Sequence, residues 1–173
     1  MEELKKVVRE VPDFHKEGIL FYDITTLLKD GKAFAKAVDA LSKRYEGRQI
    51  DAVVAIEARG YIFGPAMAYR LGVGFVPMRK PGKLPAKAIQ ETYELEYGTD
   101  TIEMHEDAVE AGQNILVVDD LLATGGTAAA ACRLVEKVGG RVAECCFLIE
   151  LSFLNGRDKL GSRKVFSLLK YDE

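Results

Sequence analysis

The sequence contains little cysteine and no long apolar run. Its three cysteines, Cys132, Cys145 and Cys146, are odd in number and lack C-x-x-C spacing, so we expect buried, reduced packing residues and a cytoplasmic protein. No apolar stretch approaches the ~20 residues of a membrane span. Residues 1–6 lack the apolar core of a signal peptide, so we expect neither feature.

Positive charge and metal-ligand patterns are also scarce. The formal net charge is −3, so the composition does not indicate a nucleic-acid partner. The two histidines, His15 and His105, have no metal-ligand spacing around them, and no serine lies in a nucleophile elbow. We therefore expect both histidines to have ordinary roles.

What is present is an alternation of strand-length and helix-length apolar patterns. The 173 residues, 48% of them hydrophobic, suit a single domain over 1–173 with a substantial core. The patterns predict helices over 2–10, 31–45, 61–71 and 128–138, strands over 52–56, 75–78, 115–118, 142–151 and 165–169, and a hairpin from 93–97 and 101–105. This alternation indicates an α/β fold with a parallel sheet, whose ligands bind at the carboxyl ends of the strands.

The most informative segment runs from Ile115 to Thr127. Four apolar residues form a strand buried on both faces, and Asp119 and Asp120 follow at its carboxyl end. The small-residue loop that starts at Ala123 then opens an alanine-rich helix, and such loops offer backbone amides to phosphate. Because two carboxylates would repel a phosphate, we assign the acids to hydroxyls and the loop to the phosphate. Ribose 5-phosphate has that layout.

Other nucleotide-binding loops do not fit this segment. A Walker A loop needs Lys and then Ser or Thr after its last glycine, whereas Thr127 and Ala128 follow Gly126. The G-x-G-x-x-G fingerprint of dinucleotide-binding proteins is absent. An ordinary strand-to-helix turn is the alternative interpretation, but the two acids and the hydroxyls on each side of the glycines favour a ligand.

Two further polar clusters precede this segment. Arg59 and Gly60 follow a predicted buried strand, where the guanidinium can bind a phosphate and the glycine permits close approach. A basic loop carries Arg79, Lys80 and Lys83. Each cluster alone is typical of a solvated surface.

The run from Ile115 to Thr127 resembles the phosphoribosyl diphosphate (PRPP) signature of type I phosphoribosyltransferases. Its A-T-G-G-T ending is similar to the adenine phosphoribosyltransferase version. The resemblance covers nearly the whole chain and implies a twisted, mainly parallel sheet flanked by helices, with a flexible lid hairpin and a small N-terminal hood. It implies that Asp119 and Asp120 bind the ribose hydroxyls. It assigns the 5-phosphate to the residues Ala123, Thr124, Gly125, Gly126 and Thr127.

The other polar clusters resemble the family's pyrophosphate-binding segments. The R-G-Y-I-F-G-P segment implies that Arg59 and Gly60 contact the pyrophosphate of PRPP. The R-K-P-G-K-L-P loop implies that Lys80 and Arg79 support this binding, in part from the neighbouring subunit of a homodimer.

The predicted hairpin alternates polar and apolar residues, which on its own indicates an exposed edge with solvated glutamates. Its L-E-Y-G segment resembles the family's lid, which implies that Glu96 is catalytic and that Tyr97 lies beside it. A lid that excludes water protects PRPP from hydrolysis. A carboxyl group in a drier site has a raised pKa and can exchange a proton with a purine nitrogen.

The segment over 12–25 is similar to the family's adenine-recognition segment. The resemblance implies that Phe21 stacks on the base and that backbone groups around Leu20 and Tyr22 read its edge. The alternative is that these residues are simply core. Two departures stand out: H-K-E at 15–17 replaces a more proline-rich turn, and Tyr22 replaces a common Arg or Lys, which argues against a side-chain role there.

Together the resemblances imply purine salvage, in which adenine and PRPP give AMP and pyrophosphate. Mg²⁺ is implied, held mainly by PRPP or pyrophosphate oxygens and water, with no direct protein ligands. A 6-oxopurine substrate such as hypoxanthine or xanthine is one alternative, although such enzymes would carry an acid where Ala123 stands. A PRPP-sensing regulator is another, but the chain has room for neither a DNA-binding domain nor a basic surface. We expect no nucleic-acid or membrane partner.

Overall fold

The computed structural model describes residues 1–14, 16–95 and 98–172. The helices are α1 Glu2–Lys5, α2 Thr25–Lys29, α3 Gly31–Lys43, α4 Gly60–Leu71 and α5 Gly126–Lys137. The strands are β1 Arg9–Pro12, β2 Leu20–Asp23, β3 Ala52–Ile56, β4 Gly74–Met78, β5 Ala88–Glu94, β6 Thr99–His105, β7 Asn114–Leu122, β8 Arg141–Leu151 and β9 Val165–Tyr171. Two short 3₁₀ segments, Ser152–Leu154 and Gly156–Leu160, follow β8.

The centre of the fold is a five-stranded parallel sheet with the order β4-β3-β7-β8-β9. Helix α4 connects β3 to the edge strand β4, whereas α5 connects β7 to β8 in the other direction. The strand order therefore reverses between β3 and β7. A crevice at the carboxyl ends of two such strands is where ligands of α/β sheets bind. The predicted parallel α/β sheet is confirmed.

Both faces of the sheet are covered, which explains the continuous apolar runs in its strands. On one face, Val53 and Leu116 belong to a core with Phe63 of α4. On the other face, Val54 and Val117 belong to a core with α5 and the hairpin β5–β6. Successive residues of β3 alternate between these cores because side chains on a strand point to opposite faces.

The hairpin β5–β6 confirms the predicted hairpin but is longer than expected. Its antiparallel register runs from Ala88 opposite His105 to Glu94 opposite Thr99. Ile102 and Met104 are fully buried in the core that contains α5. The body of the hairpin is therefore anchored to the domain and is not an exposed edge.

The N-terminal segment forms the expected hood, but its predicted helix over 2–10 is wrong beyond the first turn. Helix α1 ends at Lys5, and β1 pairs antiparallel with β2, with Val11 opposite Phe21. Valines at 7, 8 and 11 favour extended structure. Val11 is extended because it pairs with β2, which lies later in the chain, and no helical pattern can anticipate such a partner.

The remaining predicted elements are confirmed with small shifts, with one correction of consequence for the site. Strand β7 continues to Leu122, so Asp119 and Asp120 lie within the strand and not after it. The cause is β8, which extends the pairing until Leu122 lies opposite Glu150, whereas β3 pairs only as far as Val118. None of the described helices is long and apolar enough to cross a membrane.

Candidate active site

The carboxyl ends of β3 and β7 bring together residues that are far apart in sequence. Arg59, just after β3, places its Nε 2.9 Å from Oδ2 of Asp120 in β7. Gly60 begins α4, and a Cβ at this position would lie 3.0 Å from Oδ1 of Asp119. The first turn of α4 thus packs so closely on β7 that a larger residue there would push Asp119 or the strand backbone aside. The structure unites these four predicted site residues.

The two acids are held in an electrostatically costly arrangement. Asp120 is buried and Asp119 is half-buried, and the Asp120 amide donates to Asp119 Oδ1 at 2.9 Å. Burial and the neighbouring Asp120 charge raise the pKa of Asp119. Burial also raises the pKa of Asp120, although the Arg59 charge opposes this shift. An ionised carboxylate has about four acceptor positions, so each acid can still accept hydrogen bonds from ligand hydroxyls.

The loop after β7 has the features of an anion site. Gly125 has φ +80° and caps α5, which begins at Gly126, so the first amides of this 12-residue helix face the loop. In the part of the chain that the structure describes, the hydroxyls of Thr124 and Thr127 have no hydrogen-bond partner. With Arg59 and the two acids, the loop lines a cavity of about 200 Å³.

A second cavity of about 320 Å³ shares Arg59, the acids and Thr127 with the first, and is also lined by Lys80 and Tyr93. The Lys80 ammonium forms an ion pair with the carboxylate of Asp100. Burial alone would lower the pKa of Lys80, but the hydrogen bond to Asp100 outweighs it and raises the pKa. Lys80 therefore stays charged and faces the crevice that contains Arg59.

Glu57 organises the basic loop, a role that the sequence analysis missed. It accepts hydrogen bonds from the Lys80 amide (2.8 Å), Arg79 Nε (3.0 Å) and Lys83 Nζ (3.1 Å). Burial would raise the pKa of Glu57, but these hydrogen bonds outweigh it and lower the pKa to about 2. Arg79 is thus engaged with Glu57, whereas Lys80 extends to the cavity. In the sequence, the only signal for this role was an acid directly after a predicted buried strand. The basic loop that needs a counter-charge lies more than twenty residues later.

The hood places Phe21, whose side chain was predicted to contact the base, beside the crevice. The Phe21 ring centroid lies 5.8 Å from the Arg59 guanidinium. Leu20 and Tyr22 line a different cavity, as strand alternation requires, and the Tyr22 ring packs 3.9 Å from that of Tyr171. The tyrosine that replaces the family's basic residue is therefore a packing residue.

The predicted lid residues Glu96 and Tyr97 lie outside the described residues. Their neighbour Leu95 lines the second cavity, and its amide donates to the Gly98 carbonyl at 2.9 Å. The described end of the hairpin thus borders the crevice.

Comparison with known proteins decides the family. Residues 25–169 match the phosphoribosyl transferase domain. The chain is 62% identical over 172 residues to an adenine phosphoribosyltransferase of Acidobacterium capsulatum, covering 99% of this chain and 95% of that protein. The chain belongs to the adenine phosphoribosyltransferases. The five-stranded parallel sheet with its flanking helices is accordingly the type I phosphoribosyltransferase fold.

Solved adenine phosphoribosyltransferases share the whole architecture. The crystal structure of the Thermoanaerobacter pseudethanolicus enzyme superimposes with a TM-score of 0.95 at 57% identity, covering 98% of this chain and 99% of that one. The Saccharomyces cerevisiae enzyme, solved with adenine and an imino-altritol bisphosphate, gives a TM-score of 0.92 at 46% identity, covering 97% of each chain.

Proposed function

We propose that this protein transfers the 5-phosphoribosyl group of PRPP to adenine, forming AMP and releasing pyrophosphate. The observation that carries the proposal is a single crevice that joins an anion-binding helix terminus, two adjacent acids and the Arg59 guanidinium. The phosphate loop lies on one side of the two acids and Arg59 on the other. This arrangement matches a sugar that carries phosphate at one end, hydroxyls in the middle and pyrophosphate at the other end. Membership of the adenine phosphoribosyltransferases supports the same reaction.

The donor would lie across both cavities. The loop residues Ala123, Thr124, Gly125, Gly126 and Thr127 bind the 5-phosphate through backbone amides and the two hydroxyls. Asp119 and Asp120 accept the ribose hydroxyls. Arg59 binds the pyrophosphate, which approaches the backbone at Gly60, while Lys80 contributes a second positive charge and Arg79 supports the basic loop through Glu57.

The reaction is a displacement at the anomeric carbon. A bond forms from a ring nitrogen of adenine to that carbon, and the bond from the carbon to the pyrophosphate oxygen breaks through an oxocarbenium-like state. Arg59 and Lys80 stabilise the charge on the departing pyrophosphate, and the acids and the loop hold the ribose in place. Glu96 accepts the proton that the attacking nitrogen loses, a role worth typically ~10²–10⁴-fold in rate.

The donor atoms of the site fit a hydrated Mg²⁺ held mainly by substrate. The described residues contain no group of three or more metal-ligating side chains, and of the acids that line the crevice, Glu57 and Asp100 are already paired with cations of the basic loop. PRPP or pyrophosphate oxygens and water would hold the ion, and Asp119 and Asp120 would contact it only through its waters. When bound, Mg²⁺ supplies charge neutralisation to the pyrophosphate.

The base would bind between the hood and the crevice. Phe21, which lies on the Arg59 side of β2, stacks on the purine ring. Backbone groups of Leu20 and Tyr22 read the base edge. The burial of the Tyr22 ring against Tyr171 supports a backbone role at that position, because its side chain is already engaged.

We also propose that the protein acts as a homodimer, which its family resemblance supports. Sedimentation velocity of the purified protein measures this directly. A single species at the mass of two chains is expected, and a monomer that retains activity would contradict the proposal.

The proposed reaction is tested with purified protein, Mg²⁺ and PRPP, offered adenine, hypoxanthine, guanine and xanthine in separate assays. Formation of AMP from adenine is the expected result. Absence of AMP together with formation of another nucleotide would overturn adenine as the substrate while keeping the donor site.

A further inference from the structure

The phosphate loop is supported from outside its own strand and helix by Gly156, the first residue of the second 3₁₀ segment. A Cβ on Gly125 would lie 2.2 Å from the Gly156 carbonyl oxygen. A Cβ on Gly156 would lie 2.2 Å from the Ala123 carbonyl oxygen and 3.1 Å from Leu122 Cδ1. The two backbones are in direct contact, so the 3₁₀ segment limits how far the loop can move away from a bound phosphate.

The 3₁₀ segment is fixed in turn by Arg157. Its Nε and Nη2 donate to the two carboxylate oxygens of Glu150 at 2.6 and 2.7 Å, and its Nη1 donates to the Val165 carbonyl at 3.1 Å. Glu150 is only 4% exposed, and a second cation, Lys170, lies 3.9 Å from it. A forked ion pair on a buried acid fixes both position and orientation.

These contacts form a continuous ring of interactions that begins and ends at the phosphate loop. Glu150 lies opposite Leu122 in the register of β8 and β7, and Leu122 leads directly into the phosphate loop. Glu150 binds Arg157, Arg157 is the neighbour of Gly156 in the chain, and Gly156 contacts the backbone of the loop. Both charged side chains lie outside the sets of described residues that line the two site cavities.

We propose that Glu150 and Arg157 are positioning residues that hold Gly156 against the phosphate loop and thereby set its affinity for the 5-phosphate of the donor. The proposal rests on the proposed function, which supplies the phosphate. A loop held at the correct distance binds without first having to be ordered, and a shift of the loop weakens every amide contact at once.

Arg163 offers a matched control. Its Nε and Nη2 donate to both oxygens of Glu136 at 2.8 and 2.7 Å, and its Nη1 donates to the Leu160 carbonyl at 3.1 Å. The two arginines therefore make the same kind of fork and the same kind of backbone contact. Leu160, however, is the last residue of the 3₁₀ segment, whereas Gly156 is the first, and the more exposed Glu136 lies in the last turn of α5, at the opposite end of that helix from the phosphate loop.

The experiment measures binding of ribose 5-phosphate by calorimetry, together with thermal unfolding and KM values. Arg157→Ala is expected to weaken ribose 5-phosphate binding and to raise the KM for PRPP by about tenfold, with the KM for adenine changed by less than about twofold. Arg157→Lys keeps the charge but not the fork, so it should fall between Arg157→Ala and the wild type. Arg163→Ala should leave ribose 5-phosphate binding unchanged.

Two kinds of failure are separable. If Arg157→Ala does not fold, the same binding and KM measurements on Arg157→Lys test the proposal. Arg157 variants that unfold at lower temperature yet bind ribose 5-phosphate as tightly as the wild type would show that the pair is merely structural and overturn the positioning role. A wild-type protein that binds ribose 5-phosphate but makes no AMP would contradict the proposed function alone.

Discussion

The Lys80 ammonium forms an ion pair with the Asp100 carboxylate and thereby ties the basic loop to the hairpin β5–β6. The Tyr93 hydroxyl donates to the same carboxylate at 3.2 Å. All three side chains line the cavity that contains Arg59. The lysine proposed to bind pyrophosphate is therefore already paired with an anion from the hairpin.

Replacing Asp100 with Asn should strengthen pyrophosphate binding. The substitution removes a negative charge that repels pyrophosphate and competes with it for Lys80, so the product-inhibition constant of pyrophosphate should fall by about three- to tenfold. Asp107→Asn, at an exposed position after β6, is the control. Unchanged or weaker inhibition by pyrophosphate in Asp100→Asn would show that the ion pair does not oppose the ligand.

Glu57→Gln should destabilise the protein in a pH-dependent way. Because the folded pKa is lowered from 4.5 to about 2, the carboxylate stabilises the fold above pH ~4.5 and this contribution is lost as the pH falls towards 2. After allowance for solvent screening, the expected loss at pH 7 is about 1–3 kcal/mol. Urea unfolding should show the difference between wild type and variant shrinking over that window.

The exposed pair of Glu106 with Lys87 supplies the control for this measurement. Glu106→Gln should change the free energy of unfolding by less than ~1 kcal/mol, since solvent screens exposed pairs. Equal losses in the Glu57 and Glu106 variants, or a Glu57 effect that does not depend on pH, would contradict the role assigned to the Glu57 hydrogen bonds.

Asp119→Asn should stabilise the ligand-free protein while impairing it as an enzyme. A carboxyl whose folded pKa is raised costs stability once ionised, so the advantage of the variant in unfolding free energy should grow as the pH rises above about 4 and vanish below it. Loss of a charged hydrogen bond to a ribose hydroxyl should lower kcat/KM for PRPP by about 10- to 100-fold. A less stable variant with normal kcat/KM would refute both assignments.

Glu96→Gln tests the proton acceptor. Turnover should fall by ~10²–10⁴-fold, while the affinity for PRPP should change little because Glu96 is assigned to the base and not to the donor. Glu94→Gln, an exposed glutamate two residues earlier, should retain turnover. Wild-type turnover in Glu96→Gln would remove Glu96 from the mechanism.

The sequence predicted the centre of the site because its chemistry is local. The strand, acids and phosphate loop of residues 115–127 are contiguous, and the N-terminus of a helix after a small-residue loop is a typical binding site for phosphate. The end of β7 was misplaced because its last four residues are held by β8, which no local pattern shows. The hood strand β1 was taken for a helix for the same reason.

The residues that support the site could not be predicted, because they contact it from distant parts of the chain. Gly156 contacts the phosphate loop from a segment about thirty residues downstream, and nothing in its neighbourhood marks a turn that must exclude a Cβ. Glu57 and Asp100 each acquire their roles from a cation on another element. A sequence shows the charges, but the fold decides which of them meet.

The most direct test of the central claim is phosphorus NMR of the purified protein with Mg²⁺, PRPP and adenine. We predict that AMP and pyrophosphate appear together, one for one, and that neither appears when adenine is omitted. Release of pyrophosphate without AMP, or no reaction with adenine present, would contradict the assignment of this crevice to phosphoribosyl transfer.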